Sequence, residues 1–270
     1  MSGPRKQYWA ELRTDEFAAL DPARAIAVLP VSAVEQHGPH LPLGVDAWIN
    51  AAILDAALAQ LGEDASVLVL PPQTIGKSEE HLGFAGTLSL PADLAVRQWN
   101  EIGAGVARAG LRKLLIFNSH GGNPPVMEIV ARDLRVRHAM LAACANWYDL
   151  VDLNDWFDAN ELRHGIHGGA VETSIMLHLR PDLVDMSKAA AFASLSQTME
   201  ADFKHLSPVG RPSFAWATQD LNRSGAVGNA AAGDAAKGAE IVAAAARGLA
   251  ELFDDIERFD LAWLKQPYES

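Results

Sequence analysis

The sequence predicts an α/β fold: a mostly parallel sheet covered by helices on both faces. Three observations carry this. Short apolar runs of strand character recur along the chain. Helical patterns alternate with them. Glycine-rich segments bearing His, Glu and Asp follow two of the runs, at the carboxyl ends of strands, where sheets of this kind bind ligands.

The elements follow in order. Residues 26–34 are apolar and read as a buried strand. Residues 46–61, rich in Ala and Leu, read as a helix with Gly62 as its C-cap. A strand over 67–71 precedes a helix over 93–109, which starts after Pro91 and stops before Gly110. Residues 114–117 form the third strand. The helix over 124–138 has prolines in its first turn, where a missing N–H costs nothing. Residues 140–145 form the fourth strand, and 175–179 lie in an apolar helix. Residues 187–228, rich in Ser and Pro and including Gly210-Arg211-Pro212, read as loops with short pieces, a lid or an oligomer contact. A long helix over 233–253 closes the pattern with an Ala face. No repeat or linker divides the chain, so residues 1–270 read as one domain.

Composition bounds the function. With 270 residues and 49% hydrophobic content, a large core is available. The net charge of −12 speaks against nucleic acid, whose phosphates need a basic patch. The single cysteine, Cys144, sits in an apolar run, reads as a small core residue and allows no intramolecular disulfide. Residues 1–9 lack the apolar core of a signal peptide, and no run is long enough to span a membrane. A cytoplasmic protein acting on a small molecule is the expectation.

Three segments carry chemistry. In Glu35-Gln36-His37-Gly38-Pro39-His40-Leu41-Pro42, Glu35 and His37 are two apart and share one face of an extended chain, and Asp46 follows a Gly/Pro-rich turn. Asn118-Ser119-His120-Gly121-Gly122-Asn123 presents His120 at another strand end. His164-Gly165-Ile166-His167-Gly168-Gly169 leads into a helix with Glu172 in its first turn. Mixed imidazole and carboxylate ligands suit two divalent metal ions per chain, Zn or Mn, with Fe open. Asp46 is the candidate bridge. Glu35 and His120 complete one site; His37 and Glu172 complete the other. A bridging water would be the nucleophile, and His167 would pass a proton to the leaving group.

Plainer readings stand beside these. Asp46 could cap the helix that follows it, and Glu172 could complement a helix N-terminus. His81 reads as substrate-facing, His40 as structural or substrate-facing, and Trp147 and Trp156 as pocket lining or plain packing. His164 and His178 read as without a functional role, His178 as a core histidine of the apolar helix, and Glu79-Glu80 as a solvated pair.

Together with Gly86-Thr87-Leu88-Ser89-Leu90 and Ala170-Val171-Glu172-Thr173-Ser174, these segments resemble the creatininase family of metallohydrolases. The resemblance runs in order from about residue 26 to 175. It implies a three-layer α/β/α fold, a binuclear Zn or Mn centre and a homohexamer. Creatininase proper has a bulky residue and a metal-binding Glu after the histidine of its His-x-Glu-Asn segment. Gly121 and Gly122 stand there in this chain, a vacancy that Glu172 could fill. The Gly-Gly form resembles other branches: a formamide hydrolase, a peptidase of a redox-cofactor precursor, and a hydrolase of cyclic keto-inositols. The expected activity is hydrolysis of a C–N bond in a cyclic amide or small amide or formamide, through a metal-bridging hydroxide. Hydrolytic C–C cleavage of a cyclic keto-inositol or diketone, and a non-catalytic ligand-binding or assembly role, are the alternatives.

Overall fold

The computed structural model describes residues 6–210 and 212–265; residues 1–5 of the polar N-terminal stretch and Arg211 lie outside it. The main sheet contains β1 (Ile26–Val31), β2 (Val67–Val69), β3 (Lys113–Asn118) and β4 (Leu141–Asn146), in the order β2-β1-β3-β4, all parallel. The helices are α1 (Val45–Leu58), α2 (Ala92–Arg108), α3 (Pro124–His138), α4 (Ala159–His164), α5 (Ala170–Leu179), α6 (Leu195–Asp202), α7 (Thr218–Leu221) and α8 (Ala235–Arg258). A two-stranded antiparallel pair joins β5 (Ala191–Phe192) to β6 (Gly228–Asn229).

Strand alternation splits the core into two layers. Ile26, Val28, Leu115 and Phe117 face the side covered by α1, α5 and α8. Ala27, Leu29, Val31, Leu114 and Ile116 face the side covered by α2 and α3. Because both faces are buried, β1 and β3 read as continuous apolar runs rather than alternating ones. The result is an α/β/α sandwich. Close helix contact depends on glycine in two places: a Cβ at Gly238 of α8 would strike the backbone of Ser174 in α5, and one at Gly103 of α2 would strike Leu134 of α3.

Register positions the site. Val31 pairs with Asn118, and Asn118 with Asn146, so β1, β3 and β4 end in line. The turns that follow β1 and β3 therefore emerge side by side.

Several boundaries differ from the sequence expectation. The first strand ends at Val31 rather than residue 34, because the backbone of Ser32 turns to bond Gln73 and Val34 bridges Leu88. The first helix ends at Leu58, not 61. The amides of Gln60 and Leu61 reach only three residues back, so the last turn tightens and Gly62 is not the cap. The last helix starts at Ala235, where the Asp234 side chain accepts the amides of Ala236 and Lys237, and it continues to Arg258. Cys144 is exposed, not a core residue, because β4 is the sheet edge. His178 is exposed on α5, while His164 is buried and hydrogen-bonded to Ser196 Oγ at 2.7 Å. Among the described residues no helix is long and apolar enough to cross a membrane.

Candidate metal centre

The chain after β1 leaves the sheet, turns at His37–Leu41 and returns into α1. Glu35 N–H donates to Leu43 O at 3.0 Å, and Gly38 takes a positive φ of 73° at the turn. Asn50 of α1 donates to the carbonyls of Val31 and Phe117, both at 3.2 Å. Ser119 Oγ donates to Asp46 O at 2.8 Å. Thus α1 is tied to the ends of β1 and β3, and Asp46 enters the space between them. The turn after β3 is braced by its own asparagines. Asn118 donates to His120 O at 2.7 Å and accepts the His120 amide at 3.0 Å. Asn123 bonds Asn118 Oδ1 at 3.0 Å and Ser32 O at 3.1 Å.

These ties bring Glu35, His37, Asp46, His120 and His167 into one buried cluster, with Glu172 beside them. His120 Nδ1 lies 3.0 Å from Glu35 Oε2 and 3.4 Å from Asp46 Oδ2. His37 Nε2 lies 3.3 Å from Asp46 Oδ1 and 3.9 Å from Glu172 Oε1. His167 Nδ1 and His81 Nε2 approach Glu35 Oε1 at 3.7 and 3.5 Å. Two groups have the spacing a metal needs and share Asp46: Glu35-Asp46-His120 and His37-Asp46-Glu172. A third, Glu35-His37-His167, overlaps them.

The donor set fits divalent cations. His37 Nδ1–H donates to Glu35 O at 3.1 Å, and His120 Nε2–H to Lys77 O at 2.9 Å. Each ring thereby turns a bare nitrogen inward, the orientation expected of a metal-binding histidine. His37 Nε2 and Asp46 Oδ2 are buried with no hydrogen-bond partner. Such groups are costly unless a cation or proton satisfies them.

The electrostatics agree. Burial alone would lower His37, but Glu172, Asp46 and Glu35 outweigh it and raise it to about 9. His120 is likewise raised, against burial, by Glu35 and Asp46. Burial pushes Glu172 up to about 7, with His37 opposing. Burial raises Glu35 too, against the pull of His120. Asp46 is held low despite burial by the imidazoles of His120 and His37, which approach its carboxylate at 3.4 and 3.3 Å. His81 and His167 are pushed down, first by burial and then by neighbouring imidazoles, and are neutral at pH 7.

Some expected residues sit elsewhere. His40 is 1% exposed, with Nε2 on Thr173 Oγ1 at 2.9 Å and its ring 5.7 Å from Phe192; it is a packed residue rather than one that faces a substrate. Trp147 is buried in the core beside α8, and Trp156 donates to Glu240 on α8 at 2.7 Å, so both are packing residues. Asp46 lies within the first turn of α1, whose N-cap is Gly44, so it does not cap the helix. Glu172 serves two ends: Oε2 accepts the Gly168 amide at 2.6 Å while Oε1 faces His37.

Other residues at the site escaped the sequence reading. Ser78, fully buried, donates to Glu35 Oε2 at 2.6 Å. Glu80 is not a solvated residue. Its Oε1 lies 3.4 Å from His120 Nε2, in the room that Gly122 leaves, because a Cβ there would strike Glu80, His120 and Lys77. Burial works to raise Glu80, but His120 and Lys77 hold it down at about 2. Tyr148, raised to about 12 by burial and then by Asp149, also feels His120, Asp46 and Glu172.

Known proteins share this arrangement of sequence. The chain is 32% identical over 178 residues to a mycofactocin precursor peptide peptidase of Mycolicibacterium smegmatis, covering 64% of this chain and 66% of that protein. It is 31% identical over 179 residues to a creatinine amidohydrolase of Pseudomonas putida, covering 60% and 67%. A crystal structure of a protein from Bacteroides fragilis, described as a creatinine amidohydrolase, superposes with a TM-score of 0.75 at 25% identity, over 95% of this chain and 98% of that one. The family model for creatininase, creatinine amidohydrolase, matches residues 10–253. That span holds every turn of the metal-capable cluster, and the chain belongs to the creatininase family, in a branch other than creatininase proper.

Proposed function

We propose that this hydrolase holds two divalent cations and cleaves an amide C–N bond in a small molecule or short peptide. The observation that carries the reading is the pair of three-residue groups meeting at Asp46, with His37 Nε2 and Asp46 Oδ2 buried and unpartnered. Glu35 and His120 would hold one ion, His37 and Glu172 the other, and Asp46 both. Bound cations of this kind polarise a carbonyl and make water nucleophilic at neutral pH. The relatives support the bond: a peptidase and a creatinine amidohydrolase both act on amide linkages.

The chain's own groups set the rest. His167 donates Nε2–H to Gln36 O at 2.6 Å, so its Nδ1 faces Glu35 as a lone pair. That nitrogen accepts a proton from the attacking water and returns it to the leaving nitrogen. Ser78 and Lys77 O hold Glu35 and His120 in place. The test is metal content by mass spectrometry on the wild type and Asp46→Ala. About two metals per chain, both lost in the variant, is the expected result. Retention of both by Asp46→Ala would end the shared-ligand reading. Cyclic amides, formamides and short peptides are then screened with the loaded protein, with keto-inositols as the competing class.

A further inference from the structure

Gln36, between Glu35 and His37, is buried. Its side-chain amide has no freedom of orientation. Oε1 accepts the Gly38 N–H at 2.9 Å, and Nε2 donates to Gly225 O at 2.7 Å. A backbone N–H only donates and a backbone carbonyl only accepts, so the amide cannot be flipped. Gly225 is confined to glycine by the same contact: φ is +85°, and a Cβ would strike the Gln36 amide. The second Nε2–H then meets His81 Nδ1 at 2.7 Å. His81 Nδ1 must accept, because a proton there would set two N–H groups against each other. The Thr218 hydroxyl, 2.9 Å from that nitrogen and 3.1 Å from Glu80 O, can serve either without changing the result.

His81 therefore carries its proton on Nε2, which lies 3.5 Å from Glu35 Oε1. His167 also carries its proton on Nε2, because that nitrogen is 2.6 Å from the Gln36 carbonyl. The 3.2 Å approach of the Gln36 and His167 nitrogens is then a packing contact between two donors. The rings lie side by side, centroids 4.2 Å apart, but present opposite atoms to one oxygen. His81 turns an N–H toward Glu35 Oε1; His167 turns a bare nitrogen toward the same oxygen.

We propose that Gln36 is a positioning residue that fixes this opposition, so that His81 offers an N–H to the carbonyl oxygen of an amide substrate beside the His167 lone pair. The donor role rests on the hydrolase reading; the ring orientations do not. His81 gives a hydrogen bond and transfers no proton.

The experiment is long-range 1H–15N NMR of the full-length protein labelled at the histidine rings, metal-free and zinc-loaded. His81→Gln and His167→Gln spectra assign the two rings. Wild-type protein is expected to show both rings protonated at Nε2. In Gln36→Glu the introduced carboxylate accepts rather than donates, so His81 moves its proton to Nδ1 while His167, bound to a backbone carbonyl, keeps its own. A general structural disturbance would not move one ring and spare the other. Wild-type His81 protonated at Nδ1 would overturn the proposal, and needs no variant to fold. So would a Gln36→Glu spectrum with His81 unchanged. With an amide substrate in hand, kcat of Gln36→Glu falls on the order of 100-fold at equal metal content. An unchanged kcat would refute the donor role. If the zinc-loaded wild type turns over no amide while the spectra behave as expected, the hydrolase reading fails and the positioning role of Gln36 stands.

Discussion

The loop after β1 and the loop after β2 meet at the same site but contribute in different ways. The first, with the opening turn of α1 into which it runs, presents atoms with nothing else to bind: His37 Nε2 and Asp46 Oδ2 have no hydrogen-bond partner. The second, from Gly76 to His81, presents groups that bind Glu35 of the first loop and His120 of the turn after β3. Ser78 donates to Glu35, Lys77 O accepts from His120, and Glu80 stands 3.4 Å from His120 Nε2. On the proposed reading, one loop supplies ligands and the other fixes their direction. Removing a ligand should therefore change how many metals bind. Removing a brace should change how tightly they bind.

The largest effect tests the first half of that contrast. His37→Ala deletes one of the three groups around the His37-Asp46-Glu172 position and leaves Glu35-Asp46-His120 intact. Metal content should fall from about two per chain to about one, with turnover lost at saturating metal. Mass spectrometry and a competition titration read this directly. Two metals at wild-type affinity would place the ligands elsewhere.

A smaller effect tests the second half. Ser78→Ala and Glu80→Gln keep every inward ligand. Each should weaken metal binding by about 10–100-fold, the usual consequence of losing an outer partner, while saturation still reaches wild-type content. Chelator competition measures the affinity. A variant of either residue that loses a metal outright would make its side chain a ligand and erase the contrast between the loops.

The same contrast explains what the sequence revealed. The first loop is dense in His, Glu, Gly and Pro, so its spacing, taken with the two later glycine-rich turns, pointed to Glu35, His37 and Asp46. Likewise Asn118-Ser119-His120 announced a turn at a strand end, and the apolar alternation of elements announced the sheet. Ser78 and Glu80 carry no such mark. A serine before a Glu-Glu pair has the composition of any exposed turn, and only the fold brings it beneath Glu35 and His120. Trp147 is open in the other direction: an aromatic beside a strand end suits a pocket wall or plain packing equally, and only the fold shows the side chain in the core beside α8. Cys144 and His178 failed because burial of an edge strand or a helix face depends on neighbours distant in sequence.

The smallest effect concerns protons, which on the proposed reading take the place of the cations in the metal-free protein. His37 is raised to about 9 and His120 is raised as well, while Glu172 is raised to about 7. A group whose folded pKa exceeds its unfolded value binds protons more strongly in the folded state, so its stabilisation is full below the unfolded pKa and is lost as pH rises through the folded one. Below about pH 6.5, the unfolded histidine value, His81 and His167 act in the opposite sense because their folded values are depressed. Above that point the raised groups govern the cluster's contribution. The metal-free protein should therefore lose stability from about pH 6.5 to 9, a fall in Tm of several degrees read by calorimetry. Metal binding requires the same imidazoles bare, so affinity should rise across the same window. The Tm of the loaded protein should hence diverge upward from the metal-free curve as pH increases. Parallel curves would mean that the protons and the metals occupy different groups, and that His37 and His120 do not face the cations.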